Sequence, residues 1–155
     1  LALVETRDRI SCGAGAAVSL HHPGIDQALG GGLMRGRLHE LLAASDDAGA
    51  GSGFAAALAR LVGGDMLWIV DDGLWSRAGP LHPAGLAAIG LDPARLIAVV
   101  VPDAVAVLRA AVDGLRCSAL GSVVIALSGN PRPLDLTASR RLALAAESGG
   151  VTALM

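Results

Sequence analysis

The sequence is poor in aromatic residues and carries no excess of either charge. It has one Phe, two Trp and no Tyr, against 21 Gly, and most of the remainder is small and aliphatic. Such a composition suits helices packed closely on a buried parallel sheet. The formal net charge is −2, so the chain lacks the overall basic excess that marks many nucleic-acid-binding proteins. Its 155 residues are enough for one domain with a continuous core.

Cysteine is scarce, and long apolar runs are missing. Cys12 and Cys117 are far apart and fit no metal or redox spacing, so we expect both to be small core-filling residues in a reducing cytoplasm. The longest apolar stretch, 96–101, is too short to span a bilayer, and the charged N-terminus is unlike a signal peptide. We also expect a fragment, because the chain begins at Leu1 and ends inside the strand-like run 151–155.

Strand-like and helix-like runs alternate along the chain. Continuous apolar runs bounded by Gly, Pro or Asp predict strands at 37–43, 66–70, 95–101, 122–127 and 151–155. Helical patterns lie at 25–29, 54–62, 83–89, 104–115 and 137–147, the last with Thr137 as its expected N-cap. The alternation predicts an α/β fold with a mostly parallel, doubly wound sheet flanked by helices. We divide the chain into an N-terminal arm, 1–23, and a core domain, 24–155.

Three segments of the core resemble RecA and RadA recombinases. Residues 24–41 contain the Gly-Gly-Gly-Leu-Met-Arg-Gly turn that leads into the first strand of that family's core. Residues 90–96 resemble the segment before a later strand, and 122–125 occupy the place of the family's magnesium-site strand. The resemblance covers residues 24–155 in order and implies a RecA-like core.

The phosphate-binding loop that this resemblance implies is degenerate. A working loop follows Gly-x-x-x-x-Gly-Lys-Ser/Thr, in which backbone amides wrap the phosphates, Lys neutralises their charge and the hydroxyl holds Mg²⁺. Gly49 and Gly51 supply glycines in this chain, but Ser52 stands in place of Lys and Gly53 in place of Ser/Thr. The vestigial loop therefore lacks both its cation and its metal ligand.

Two further chemical roles are missing by the same comparison. Ala126 stands where the family has the magnesium-site Asp, and Gly73 falls about where the catalytic Glu would be. Asp46 and Asp47 would also repel a triphosphate. We therefore expect no enzyme activity, no cofactor and no metal. The loop itself is either a glycine-rich turn that caps the following helix or a residual anion site.

Two other segments resemble the ImuA family of bacterial mutagenesis cassettes, which lies near the SulA-like cell-division inhibitors. Residues 134–142 contain its Asp-Leu-Thr-Ala-Ser-Arg-Arg-Leu block, and residues 74–86 resemble its Pro-x-Gly-Leu segment. This resemblance implies a DNA-damage (SOS) accessory factor in translesion synthesis. Its implied partners are the polymerase-like ImuB, an error-prone DnaE-type polymerase and RecA. Because only 128–133 replace a long DNA-contacting loop, we expect direct DNA binding to be weak or indirect, and self-association stays open.

Four residues form the candidate partner surface. Arg140 and Arg141 are either a solvated helix face or part of an interface, and Arg132 lies nearby in sequence. Trp75 is either an exposed anchor for a partner or a large residue that seals a core of small side chains. Two rival functions stay open beside the mutagenesis role: a SulA-like cell-division inhibitor and a divergent RecA-type ATPase or recombinase.

Paired carboxylates and scattered histidines are the remaining candidates. Asp71 and Asp72 follow a strand, where α/β sheets place ligands, but a helix cap or a solvated loop is the simpler interpretation. His39 should pack or bond locally within the first strand. The other histidines, His21, His22 and His82, are expected in loops without a metal role.

Overall fold

The computed structural model describes residues 16–44 and 48–155, and its elements alternate as the sequence predicts. The strands are β1 Ala17–Val18, β2 Leu33–Met34, β3 Leu38–His39, β4 Asp65–Asp71, β5 Leu96–Val101, β6 Leu120–Ala126 and β7 Thr152–Leu154. The helices are α1 Pro23–Ala28, α2 Ala48–Val62, α3 Asp72–Ala78, α4 Pro83–Ala88, α5 Ala104–Leu115 and α6 Leu136–Gly149, with a 3₁₀ turn at Pro93–Arg95.

Five strands form one parallel sheet in the order β3-β7-β6-β4-β5. Strand β4 lies between β6 and β5, so two of the predicted strands are its neighbours. The doubly wound α/β fold is therefore confirmed. A short antiparallel pair, β1 with β2, was not predicted; β1 falls within the segment assigned to the arm, whose residues 1–15 lie outside the described part.

The core consists of two apolar layers, one on each face of the sheet. Along β4, Met66, Trp68 and Val70 point into the layer beneath α2, α3 and α4. Ile69 points into the opposite layer, beneath α5 and α6, together with Val107, Ala111, Leu115, Leu142 and Ala146. Small side chains let the helices approach the sheet closely, as the composition indicated.

Aspartates begin three of the helices. Asp71, Asp103 and Asp135 each accept a hydrogen bond from a backbone N–H in the first turn of α3, α5 and α6. The N-cap of α6 is thus Asp135, and the predicted cap Thr137 is wrong, because the helix starts one residue earlier, at Leu136. The capping role favoured for Asp71 is confirmed, and α3 itself is an element that the sequence analysis missed.

The structure corrects several predicted boundaries of helices and strands and one prediction of burial. The strand expected at 37–43 is regular only over β3, although Leu41 N–H still donates to Met155 O at 2.6 Å. The helix expected from residue 54 begins at Ala48. Cys117 is exposed rather than core-filling, because it follows the end of α5, and Cys12 lies outside the described residues. Within the described part, every helix is too short or too polar to cross a membrane.

Candidate partner-binding groove

The glycines of the degenerate loop lie inside a helix. Gly49, Gly51, Ser52 and Gly53 belong to the first turns of α2, so most of the expected turn is helical. The segment after β3 packs against this helix start, since a side chain on Gly51 would meet Cβ of Ala43 at 2.9 Å. Ser52 and Gly53 are exposed. The chain contains no lysine at all, a fact that the sequence analysis overlooked, so no lysine from elsewhere can replace the missing one.

The other positions of the expected nucleotide site carry structural roles. Ala126 is the last residue of β6 and packs against the layer beneath α2. Gly73 lies in the first turn of α3, where an added Cβ would be 3.0 Å from Oδ1 of Asp71. That carboxylate accepts from Leu74 N–H at 2.9 Å, and Asp72 is exposed.

The histidines make local hydrogen bonds. His39 Nε2 lies 2.8 Å from Met34 O, which confirms local bonding; burial lowers the pKa of His39, and this hydrogen bond acts in the opposite direction. Nδ1 of His22 and of His82 accepts a backbone N–H at the start of α1 and α4. His21 is exposed. Across residues 16–44 and 48–155, acidic, His and Cys side chains nowhere gather in threes as a metal site would need.

The four candidate partner residues divide between the two faces of the sheet. Trp75 lies in α3, not in a loop, and is half-buried against the layer beneath α2. Arg132, Arg140 and Arg141 are exposed and belong to α6 or to the loop before it, on the opposite side. The structure therefore separates the tryptophan from the arginines, and of the three arginines only Arg141 lines the groove described next.

A groove of about 460 Å³ lies between α5 and the start of α6. Apolar side chains from both helices line it, together with Arg109 of α5 and Arg141 of α6. The lining also includes Val105, Leu108, Val112, Pro133 and Leu142. Arg109 was not singled out from the sequence, although its helical spacing from Val105 and Val112 was a usable signal.

The charged side chains that line the groove differ in whether they have a bonding partner. Among its acids, Asp135 caps α6 through Ala138 N–H at 2.8 Å, and Asp113 lies 4.0 Å from Arg116. Neither Arg109 nor Arg141 forms an ion pair with any residue that the structure describes. The groove thus combines apolar side chains with two arginines and two aspartates, which is a mixed lining suited to a peptide with both apolar and charged side chains.

The exposed side of α6 adds one more apolar residue at this end of the molecule. Leu136, the first residue of the helix, is 90% exposed, whereas Leu142 of the same block is 1% exposed in the core. Asp135 caps α6 and Leu142 packs in the core, whereas the Leu136 side chain does neither. Leu136 therefore adds an accessible apolar side chain between Asp135 and Thr137, which both line the groove.

Comparison with known proteins supports the fold. Neither the scan of protein-family models nor the search of curated proteins gives a match. Among solved structures, the chain is similar to a crystal structure of SulA from Pseudomonas aeruginosa, with 23% sequence identity and a TM-score of 0.53. The similarity covers 76% of this chain and 93% of the SulA chain. The five-stranded parallel sheet and its flanking helices therefore share the fold of that SulA structure.

Proposed function

We propose that this protein is a non-catalytic RecA-like accessory factor in DNA-damage-induced translesion synthesis. It would act by binding other proteins: an ImuB-like protein, RecA or an error-prone DnaE-type polymerase. The α5–α6 groove is the observation on which the proposal rests. Part of the Asp-Leu-Thr-Ala-Ser-Arg-Arg-Leu block, which carries the resemblance to ImuA, lines this groove: Asp135, Thr137, Ala138, Arg141 and Leu142.

The distribution of that block between core and surface supports a binding role. Five of its residues are exposed at the start of α6: Asp135, Leu136, Thr137, Arg140 and Arg141. An exposed leucine and two adjacent arginines add little to the stability of a helix. Arginine and large apolar side chains are, however, the groups from which protein interfaces gain most affinity when they become desolvated.

The missing nucleotide chemistry supports the non-catalytic part of the proposal. The start of α2 offers backbone amides without a lysine, and Ala126 offers no carboxylate for magnesium. A triphosphate needs several cations to offset its charge. We expect calorimetry with ATP and Mg²⁺ to give no saturable heat. Micromolar binding that a Gly51→Glu substitution abolishes would overturn this part and favour a divergent ATPase.

Binding assays with purified partners test the proposed function. We expect the full chain to bind an ImuB-like protein, RecA or the DnaE-type polymerase from the same organism. Arg141→Glu and Leu136→Glu should each weaken that binding about tenfold or more, since they change exposed groups at the groove. Arg77→Glu makes the same charge change on α3, across the sheet, and should leave binding unchanged. Absence of binding to all three partners would refute the proposal.

The similarity to SulA favours a second candidate, a cell-division inhibitor. Expression of the chain in undamaged cells separates the two functions. Filamentous growth without any change in mutation frequency would favour the inhibitor. Loss of damage-induced mutation on deletion, with normal cell length on overexpression, would favour the translesion role.

A further inference from the structure

Among the described residues, the sheet ends at β5 in an apolar edge without a neighbouring strand. This strand has the sequence Leu-Ile-Ala-Val-Val-Val, and within residues 16–44 and 48–155 it pairs with β4 alone. Ile97 is 53% exposed and Val100 is 41% exposed, on opposite faces of the strand. Half of the residues of an edge strand direct their N–H and C=O groups outward, so β5 offers both hydrogen-bonding groups and apolar surface.

The opposite edge of the sheet shows the usual protection. There, β3 is only two residues long and is flanked in sequence by Arg37 and Glu40. Natural sheets keep their edges short, charged or interrupted by proline, because long apolar edges pair with other chains. From Leu96 to Val101 there is neither a charge nor a proline. Pairing with another strand would cover such an edge.

We propose that β5 pairs with β5 of a second copy of this chain, antiparallel across a two-fold axis. The two five-stranded sheets would then join into one continuous sheet. Two-fold dimers are the commonest assemblies of identical chains, and they require a self-complementary surface. An uncharged strand of β-branched and aliphatic residues meets that requirement, because no like charges face each other within it.

The charges at the two ends of β5 select the register. In an antiparallel pair, two residues that lie directly opposite each other either both direct their backbone groups toward the partner strand or both direct them away. Opposed residues of the two copies are therefore an even number apart in sequence. The two-fold axis must then pass between one residue and the same residue of the second copy. With the axis at Val99, Ile97 lies opposite Val101, and Arg95 lies opposite Asp103 of the second copy. With the axis at Ala98, Arg95 would instead face Val101.

Both end residues are accessible for this contact. Arg95 donates to Asp65 at 2.9 Å but keeps about half of its side chain exposed, so its guanidinium has further donors for a second carboxylate. Asp103 is exposed, and one of its oxygens accepts from Ala106 N–H at the start of α5. The register at Val99 thus sets a cation against an anion at each end of the paired strands.

The dimer has a consequence for the groove. A two-fold axis perpendicular to the sheet keeps equivalent faces of the two copies on the same side. Both α5–α6 grooves would then open on one face of the joined sheet, where a partner with two binding segments can engage them together.

The mass of the protein in solution tests the pairing. We expect wild-type chain to sediment at twice the mass of one chain, across a concentration series. Ile97→Lys should give single chains, because it places a charged side chain against the apolar Val101 of the second copy. Val100→Lys should also give single chains, and it tests the pairing independently because Val100 lies on the opposite face of β5. Leu144→Lys is the matched control, since Leu144 is 50% exposed but lies on α6. It should remain a dimer.

Cross-linking tests the register. In a background of Cys12→Ser and Cys117→Ser, Val99→Cys should link to its own copy with a short bifunctional reagent. Arg95→Cys should link only when mixed with Asp103→Cys. A wild type that sediments as one chain, or a dimer that survives both Ile97→Lys and Val100→Lys, overturns the proposal. A dimer that cross-links at Ala98→Cys instead of Val99→Cys overturns the register.

Discussion

Replacing Gly149 with alanine should destabilise the protein, although the same change usually stabilises a helix. Gly149 is the last residue of α6, and an added Cβ would lie far inside van der Waals contact with the carbonyl oxygen of Leu115, at the end of α5. That oxygen belongs to the backbone, so it cannot rotate away as a side chain would. The ends of α5 and α6 must therefore move apart.

The expected size follows from two opposing effects. Alanine in a helix is favoured over glycine by about 0.5–1 kcal/mol. Overpacking at a rigid contact costs about 1–3 kcal/mol. We therefore expect Gly149→Ala to lower the free energy of unfolding by about 1–2 kcal/mol. Because α5 and α6 form the groove, the variant should also weaken partner binding.

Gly53→Ala is the matched control. Gly53 lies in the helix α2, and nothing is within 4 Å of an added Cβ. This variant should be more stable than wild type by about 0.5–1 kcal/mol. Urea denaturation of the wild type, Gly149→Ala and Gly53→Ala measures the free energy of unfolding of each protein. The reasoning fails if Gly149→Ala is as stable as Gly53→Ala, because the close approach of α5 and α6 would then carry no energy.

Three further variants test the cap, the core and a buried histidine. Asp135→Ala should cost about 1 kcal/mol by removing the N-cap of α6, whereas Thr137→Ala should cost much less; equal losses in urea denaturation would contradict the assigned cap. Leu142→Ala should cost about 2–5 kcal/mol, because the side chain is 1% exposed, and a smaller loss would mean that the core collapses into the cavity. Burial lowers the pKa of His39 below its ordinary 6.5, so the unfolded state binds more protons as the pH falls, and stability should decline from about pH 6.5 downward. His39→Leu should reduce that decline, as denaturation across this pH range would measure, and an unchanged pH profile would refute the assignment.

The pattern of apolar residues predicted those helices and strands that are marked by residues close together in the sequence. The helix at 104–115 and the strand that became β4 were placed within one residue, because each is a periodic or continuously apolar run with a clear boundary. The helix α3 was missed, since its two ends, Asp72 and Ala78, enclose a mixed segment without apolar spacing. Its cap, Asp71, was the usable signal.

The candidate site was predicted only in part. Arg140 and Arg141 were singled out because they are adjacent charges on a helix, and the structure places Arg141, but not Arg140, in the lining of the groove beside α5. Arg109 and the apolar floor of the groove come from a helix that lies about thirty residues earlier in sequence. No local pattern indicates that two such helices pack side by side. The exposure of Leu136 was not predicted either, because this residue lay just outside the helix expected at 137–147.

The sequence by itself determined the α/β class, the alternation of strands and helices, and the lack of lysine and of a magnesium-site carboxylate. Those properties depend on residue type and on short-range spacing, which a linear chain displays in full. Only the tertiary structure decided the strand order, the groove between α5 and α6, and the exposure of both faces of β5. An apolar strand has the same appearance in sequence whether it lies at the centre or at the edge of a sheet, because its burial depends on neighbours that come from distant parts of the chain.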